Sequence, residues 1–456
     1  MRTLIVVLAL ALSQAAAAND VALDPGANGR IQEFVVGVTD LDRALPLFTD
    51  VLKWRVIARG TADASVARVW GLPVETPVAE ALVGNPGSAY GFVRLVQVDL
   101  PERAVIRAGA NWWDTGGAFA LNFFVADLDA TMAGLVGHGF VPTGEPVAYG
   151  DAARGEGSGR MTRMAGPDGL VLSFQERLAP PLTGWPAFDG ASHVENAMEV
   201  VRDLNAWSAF AGRLGLGTPQ IMDRAARAAG PGAAAMGLPR NAIDLSRSRQ
   251  AILRLGDTRE QMLTAWQFKT AEGTDASARV KPQNLGVTGL RIPVKDATAL
   301  YAAFKQAGAD IAAELQVLRL APYGTTRAFA VVAPGGSGLR VELIEPNATP
   351  MGEADLRAFT RQGRYATWIR FNNRLTGSIH WRADGTARVK WDEGGLDEEG
   401  TWTIRGDAVC TAWFKLRAGR ELCVHHYRLA GDTTQSFTVD GRTDGIYAWQ
   451  AAGIGP

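Results

Sequence analysis

The sequence predicts an α+β fold of four βαβββ modules, paired into two cup-like barrels and followed by a C-terminal antiparallel β-sandwich or small barrel. Two observations predict this fold. A strand-to-helix junction recurs four times, at Asp40, Asp127, Asp203 and Asp296, with spacings of 87, 76 and 93 residues. Beyond residue 354 the junction no longer occurs, and short aromatic runs such as YATWIRF and GTWTIR alternate with turn sequences.

The N-terminal segment, residues 1–18, reads as a signal peptide. Arg2 precedes the apolar run LIVVLALAL, and four alanines precede Asn19. We expect cleavage after Ala18 and a mature protein in the periplasm or outside the cell. The apolar run is too short for a stable membrane span, and no cysteine follows it to carry a lipid.

The bulk composition is that of an ordinary globular protein. Hydrophobic residues make up 47% of the 456 residues, charged residues 20%, and the net charge is −1. This balance gives no reason to expect nucleic-acid binding, and no later segment is long and apolar enough for a membrane span. A small-molecule ligand remains a candidate partner, and the sequence identifies no protein partner.

The stretch VGVTDLDRALPLFTDVLKW, residues 36–54, shows how each module begins. Apolar residues alternate up to Asp40, which predicts a half-buried strand, and then follow helical spacing. An aspartate at this position caps the helix, because its side chain accepts hydrogen bonds from free backbone N–H groups. We interpret all four junction aspartates as helix caps, not as catalytic groups.

Further strand-like segments follow each helix. They end in GFVRLVQVDL (91–100), AGPDGLVLSFQER (165–177), MLTAWQF (262–268) and APGGSGLRVELIEP (333–346). A module of one helix and about four strands cannot close a sheet alone, so we expect modules to pair. We predict that consecutive modules pair, in domains 30–177 and 191–346, joined by the linker 178–190.

The C-terminal region, residues 354–452, is predicted to be a separate β domain of many short strands. Its cysteines, Cys410 and Cys423, lie on two strand-like runs joined by a turn-like KLRAGR. Export would favour a disulfide if the register brings the two Cα atoms close. The alternative is two small buried core residues.

The recurring strand, aspartate, helix and terminal PDG or GGSG strand resemble the vicinal oxygen chelate superfamily, which includes glyoxalase I, extradiol dioxygenases and bleomycin-resistance proteins. The resemblance covers about residues 30–346. It implies a cup in each pair of modules that often holds a divalent metal. It also implies ligand positions seven residues before each capping aspartate and on each module's last strand.

In the first domain these positions are Glu33, Arg94, Ala120 and Ser173. Only Glu33 is a metal ligand by type, since an arginine has no acceptor. We therefore interpret Glu33 as a polar lining residue, hydrogen-bonded or paired with Arg94. Such a pair could bind a polar ligand, although a structural pair is commoner.

In the second domain the positions are Asn196, Gly289 and Glu342, with the fourth unclear between Thr264 and Trp266. His193 lies ten residues before Asp203, so it reaches the ligand position only with a three-residue insertion. Without one it faces away from Asn196. His193 and Glu342 are the candidate metal ligands. We interpret His138 as a helix-end residue, and His425 and His426 point to opposite faces of a strand.

Other segments supply weaker candidates. Trp112 and Trp113, in NWWDTGG, either stack on a ligand or pack an intermodule linker, and packing is the commoner role of such residues. RGEGSGR (154–160) is predicted to be a loop or lid, and the low-complexity stretch 224–240 a mobile insertion. Phosphate-loop and nucleophile-elbow motifs do not occur.

The leading functional hypothesis is an exported protein of this superfamily with largely lost metal ligands, which binds a small organic molecule or serves as a scaffold. Its candidate ligand-binding residues are Glu33, Arg94, Trp112, Ser173 and Asn196, and no cofactor is expected. The alternative is a lyase, isomerase or dioxygenase with one divalent metal ion (Fe, Mn, Zn or Ni) in the second cup. A third possibility is an interaction protein whose β domain binds a partner.

Overall fold

The structure is a computed structural model, and it describes most of the chain from Arg30 to Ala451. The described ranges are 30–109, 111–150, 157–224, 248–255, 260–269, 273–346, 349–370, 376–392, 394–428, 433–438 and 443–451. The predicted signal peptide (1–18) lies outside these ranges, as do most of the insertion 224–240 and the first half of the loop 154–160.

The first two modules follow the predicted element order. Module one contains β1 (Glu33–Gly37), α1 (Leu41–Pro46) with a π-helical extension (Leu47–Val51), β2 (Arg55–Thr61), α2 (Ala64–Val69), β3 (Val78–Gly84) and β4 (Phe92–Val98). Module two contains β5 (Ala118–Phe124), α3 (Leu128–Gly137), β6 (Val141–Pro142), β7 (Val147–Tyr149), β8 (Ser158–Ala165) and β9 (Val171–Ala179).

The next two modules repeat this order. Module three contains β10 (Asn196–Val200), α4 (Leu204–Arg213), β11 (Gln220–Arg224), β12 (Ser248–Leu255) and β13 (Gln261–Phe268). Module four contains β14 (Gly286–Pro293), α5 (Ala297–Gln306), β15 (Ile311–Leu320), β16 (Gly324–Val332) and β17 (Arg340–Pro346).

The four junction aspartates are helix caps, as predicted. Asp40 accepts hydrogen bonds from the N–H groups of Asp42 and Arg43. Asp127, Asp203 and Asp296 bond in the same way to N–H groups in the first turns of α3, α4 and α5. Each side chain thus partners backbone donors that the helix leaves free.

The modules pair in a nested order, first with fourth and second with third. One eight-stranded sheet runs β15-β16-β17-β14-β1-β4-β3-β2, and a nine-stranded sheet contains β11-β12-β13-β10-β5-β9-β8-β6 with β7 beside β8. The antiparallel joints are β1 with β14 and β5 with β10. We name the concave faces of these sheets the outer-module cup (modules one and four) and the inner-module cup (modules two and three).

The prediction that consecutive modules share a cup is therefore wrong. Each module has its first strand at the edge where it can pair with another module. The sequence pattern of these first strands is similar in all four modules, so it does not show which two strands pair. The pairing is decided by contacts between residues far apart in the chain. The two sheets share one buried core with side chains from all four modules, including Phe48, Phe123, Trp207, Phe304 and Phe329.

The C-terminal region is a barrel, one of the two predicted alternatives. Its elements are β18 (Thr349–Pro350), α6 (Glu353–Thr360), β19 (Arg364–Arg370), β20 (Thr376–Trp381), β21 (Thr386–Trp391), β22 (Asp397–Arg405), β23 (Ala408–Trp413), β24 (Leu422–Arg428), β25 (Thr433–Thr438) and β26 (Thr443–Ala451). Strands β19 to β26 each pair with the next along the chain, and β26 pairs with β19 to close the barrel.

Aromatic side chains fill the barrel. The rings of Trp381 and Trp449 lie 4.5 Å apart, and Phe359 of α6 meets Trp449 edge-on at 5.4 Å. The aromatic density of this region is therefore explained by packing.

Cys410 and Cys423 are directly opposite each other on β23 and β24, and their sulfur atoms are 2.06 Å apart in a disulfide. Among the described residues, no helix is long and apolar enough to cross a bilayer.

Candidate functional site

The centre of the outer-module cup carries charged side chains in lateral register. Glu33 on β1 lies opposite Arg291 on β14, and Arg291 lies beside Glu342 on β17. Arg94 on β4 and Arg340 on β17 occupy the next row, beside Val35 and Gly289. Residues at equal register on neighbouring strands face the same side, so these five charges lie together on one surface.

These charges form a network of buried ion pairs. Arg94 donates to both oxygens of Glu33, at 2.7 and 2.6 Å, and Arg291 donates to Glu33 at 2.9 Å. Arg291 also donates to Glu342 at 2.7 Å, and Arg340 donates to Glu342 at 3.0 Å. The predicted pairing of Glu33 with Arg94 is thereby confirmed.

The network keeps its buried carboxylates ionised. Burial alone would raise the pKa of Glu33, but the charges and hydrogen bonds of Arg94 and Arg291 outweigh it and lower the pKa to about 2. Burial likewise opposes ionisation of Glu342, and Arg291 and Arg340 lower its pKa below the ordinary value. The carboxylates and guanidinium groups therefore hold each other in the charged form.

Neighbouring elements plug this cup. Trp70, at the end of α2, donates its indole N–H to Glu342 at 2.8 Å. Arg94 also donates to the carbonyl of Ala321, in the β15–β16 turn, at 2.6 Å. Tyr323 in the same turn is half-buried, with its hydroxyl buried near Glu33 and Arg94, and desolvation raises its pKa well above the ordinary value. These contacts surround the charge network with groups of the protein itself.

The residues of the outer-module cup do not fit a metal ion. Two of its central positions, Arg94 and Arg291, are guanidinium groups, which donate hydrogen bonds and have no acceptor. Their positive charges already satisfy the two carboxylates, Glu33 and Glu342. A divalent cation would have to displace both guanidinium groups while they remained buried.

The inner-module cup has neutral polar residues at the centre of the corresponding row, which are Ser173 on β9, Asn122 on β5 and Asn196 on β10. Arg163 on β8 and Met262 on β13 continue this row in register on either side. Asn196 Nδ2 donates to the Thr264 hydroxyl at 3.1 Å. Amide and hydroxyl groups both donate and accept, so this floor can hydrogen-bond an organic molecule.

A cavity of about 300 Å³ lies over this row. Its walls mix indole rings and thioether chains with polar groups: Trp112, Met161, Arg163, Gln175, Glu195, Met198, Gln250, Met262, Thr264 and Trp266, together with Asn122, Ser173 and Asn196. Ligand sites in proteins have this character, a mainly apolar enclosure with a few convergent polar groups. The inner-module cup is the candidate functional site.

Several buried polar atoms in this wall lack a partner among the described residues. They are the indole nitrogens of Trp112 and Trp266, Asn122 Oδ1 and Glu195 Oε2. Buried polar groups in folded proteins are almost always hydrogen-bonded, so each such atom needs a cause. A bound molecule or water that supplied donors and acceptors in the cavity would provide one.

Glu195 is the carboxyl group of this cavity. Burial raises its pKa to about 7, and the charges of Arg177 and Arg254 oppose that rise only in part. Its exchange between neutral and ionised forms therefore falls near neutral pH. A titratable group with a displaced pKa in a cavity is a frequent mark of a functional site.

The sequence candidates divide between the two cups. Trp112, Ser173 and Asn196 line the inner-module cavity, as do both residues left open for the fourth position, Thr264 and Trp266. Trp112 also packs, stacked on Phe119 at 5.9 Å and edge-on to Trp266 at 5.2 Å. Glu33 and Arg94 instead bind each other in the outer-module cup, so they cannot line this cavity.

His193 and Glu342 do not form a metal site. Glu342 is on β17 in the outer-module cup, whereas His193 Nε2 lies 3.2 Å from the carbonyl of Glu260 and its ring packs against Tyr90 and Trp185. The two were expected in one cup because consecutive modules were expected to pair. Among the described residues, one cluster of three or more His, Cys, Asp or Glu side chains could hold a metal ion. It is Cys410, Glu421 and Cys423, and its cysteines are joined in the disulfide.

Comparison with solved structures finds likenesses at low sequence identity. Similar solved structures include glyoxalase I from Zea mays (18% identity, 70% of this chain and 92% of that chain, TM-score 0.43) and a putative dioxygenase from Bacillus subtilis (10%, 72% and 86%, 0.42). An antibiotic-binding protein from a Streptomyces species is matched over 33% of this chain and 96% of its own, at 20% identity and TM-score 0.21.

The modules have the topology that the sequence resemblance predicted. Each has its first and last strands parallel and adjacent, and its helix follows the first strand. At these identities and TM-scores the likenesses carry no argument about activity. No family model and no curated protein matches the chain.

Two central residues of the cups were not identified from the sequence. Counting seven residues back from the caps of modules two and four selects Ala120 and Gly289, which pair with Met198 and Val35. The side chains in register with Asn196 and Glu33 are Asn122 and Arg291, two residues further on. Strand alternation places positions seven and five residues before the cap on the same face. A polar residue five residues before the cap was therefore the available signal.

Proposed function

We propose that this protein is an exported binding protein that holds a small organic molecule in the inner-module cup. The observation that carries the proposal is the cavity of about 300 Å³, which three sequence-predicted residues (Trp112, Ser173 and Asn196) help to line. Its indole and thioether groups offer contact area to an apolar body, and its amides and hydroxyls offer hydrogen bonds. In this proposal the outer-module cup is a scaffold.

The test begins with the purified full-length protein. Native mass spectrometry should detect a copurifying small molecule, which is released on denaturation. Asn196→Leu keeps the side-chain volume but removes its hydrogen bonds on the cavity floor, so the bound molecule should be lost. Asn205→Leu is the matched control, because Asn205 is exposed on α4 and away from the cavity. Equal retention by both variants would contradict the proposal.

Export is the second part of the proposal. The apolar N-terminal segment supports it, and so does the disulfide, since disulfides persist in oxidising compartments. We expect the mature protein to begin at Asn19 when the full chain is produced in a bacterium. N-terminal sequencing of the periplasmic fraction measures this, and a cytoplasmic protein that retains Met1 would refute export.

The metal-dependent alternative has little support in the residues of either cup. The outer-module cup has guanidinium groups at two of its central positions. The inner-module cup has a single carboxyl group, Glu195, among neutral amides and hydroxyls, which are weak ligands for Fe, Mn, Zn or Ni. We expect elemental analysis after dialysis to find none of these metals at stoichiometric level. A stoichiometric ion that is lost in Asn196→Leu or in Glu342→Ala would restore the enzyme hypothesis.

A further inference from the structure

The inner-module cavity is rich in groups that can only donate hydrogen bonds. The indole N–H groups of Trp112 and Trp266 are buried without a partner among the described residues, and an indole has no acceptor. Arg163 adds a fully buried guanidinium, which lies over the Trp112 ring at 4.3 Å. Burial lowers the pKa of Arg163 to about 10, so it remains cationic near neutral pH.

We propose that the ligand of this cup is a small organic acid, with a flat apolar body against Trp112 and Trp266 and a carboxylate that receives hydrogen bonds from Arg163 and the indole N–H groups. This inference rests on the proposed binding function and names its ligand class. An arginine carboxylate pair is charge-assisted and geometrically matched, and the low dielectric of a buried site strengthens it. The thioethers of Met161, Met198 and Met262 add adaptable apolar contact to the same wall.

Glu195 makes this binding depend on pH. The groups that act on it are Arg177 on β9, Arg254 on β12 and Tyr149 on β7, and Arg163 on β8 lines the same cavity. With its pKa raised to about 7, Glu195 is neutral in mildly acidic solution and can donate to the carboxylate of the ligand. Above that pH it becomes a second negative charge in the cavity and repels an anion.

Three probes that share one ring separate the ligand classes. Benzoate is anionic, benzamide neutral and benzylamine cationic, and calorimetric titration into the full-length protein measures each affinity. We expect benzoate to bind at least about tenfold more tightly than benzamide, because a charge-assisted bond replaces a neutral one. Benzylamine should bind weakest. Benzoate affinity should fall about tenfold from about pH 6 to about pH 8, as the neutral fraction of Glu195 falls.

Variants assign the effect to named groups. Arg163→Met should weaken benzoate binding at least about tenfold and leave benzamide nearly unchanged. Arg160→Met is the matched control, because Arg160 is on the same strand but pairs outside the cavity with Asp129 and Glu176. Glu195→Gln should bind benzoate with no pH dependence between those values. If Arg163→Met does not fold, Arg163→Lys and the Glu195→Gln pH profile still test the inference.

The inference is overturned if benzamide or benzylamine binds as tightly as benzoate, if Arg163→Met binds benzoate like the unmodified protein, or if benzoate does not bind. These results leave the proposed function standing as long as a copurifying molecule is lost in Asn196→Leu. A protein that releases no molecule and binds none of the three probes contradicts both.

Discussion

At the scale of single residues, the two cups show opposite uses of the same positions. Glu33, Arg291 and Glu342 are charges paired with one another, whereas Asn196, Asn122 and Ser173 at the corresponding register are neutral and line a cavity. A paired charge network fixes its own geometry and leaves little to offer a ligand. Neutral groups beside a cavity keep their hydrogen-bonding capacity for a ligand.

Removal of one charge from the outer-module network should be costly. Glu33→Gln leaves Arg94 and Arg291 buried with weakened pairing, so the free energy of unfolding should fall by about 3–5 kcal/mol. Denaturant titration measures the loss. Glu314→Gln breaks the exposed pair with Lys305 and should cost about 1 kcal/mol or less. Equal effects of the two substitutions would show that the buried network is not a stabilising unit.

Buried carboxyl groups give a second residue-scale prediction, for stability against pH. Burial raises the pKa of Glu199 to about 7 from an ordinary value of 4.5, despite hydrogen bonds from Ser337 and Trp207. The folded protein therefore binds more protons than the unfolded chain between these values. This stabilising contribution is complete below about pH 4.5 and is lost as the pH rises through about 7.

Unfolding free energy should accordingly decrease from about pH 5 to about pH 8. Glu195 titrates in the same range, so Glu199→Gln should flatten part of the decrease and Glu195→Gln with Glu199→Gln should flatten most of it. Glu314→Gln should leave the slope unchanged. A slope that persists in the double variant would assign the pH dependence to other groups.

At the scale of elements, the disulfide joins neighbouring strands of the barrel. Cys410 and Cys423 are 13 residues apart, and a closed loop of that length restricts the unfolded chain. Cys410→Ala with Cys423→Ala should lower the stability of the barrel by about 3 kcal/mol, measured as a shifted denaturation midpoint. Reduction of the unmodified protein should give the same shift, and the double variant should not respond to reductant.

The helices and strands themselves were predicted better from the sequence than the pairing between strands. The helix at each junction follows from local rules, because an Asp cap such as Asp127 is followed by apolar residues at helical spacing. These rules do not depend on which module the helix packs against. The alternating aromatic runs predicted the barrel strands for the same reason. The lateral register of strands depends on bulges, such as the shift between Val35 and Val36, which the pattern does not reveal.

At the scale of the whole molecule, the candidate site could be predicted only in part. Ser173 and Asn196 were found because the resemblance supplied their positions, and Trp112 because the tryptophan pair in NWWDTGG suggested a stacking surface. Arg163 and Glu195 were missed, because they belong to the cavity only through the pairing of module two with module three. The residues of one cup are gathered from distant parts of the chain, and single-sequence periodicity carries no information on that pairing.

The nested pairing predicts which fragments fold. Residues 111–284 contain modules two and three, hence both halves of the inner-module sheet, and should give a protected β core in hydrogen exchange. Residues 30–177 contain one half of each cup and should remain largely unprotected at the same concentration. A stable monomeric fold of 30–177 would favour pairing of consecutive modules.

The joint between β1 and β14 also sets the order of assembly. Arg291 bonds to Glu33 across 258 residues of chain, so β1 stays an unpaired edge until module four is complete. Modules two and three can join before that, since they are consecutive. The loop that closes last is the longest, which implies slow folding of the outer-module sheet and an interval in which its edge strand is open to aggregation.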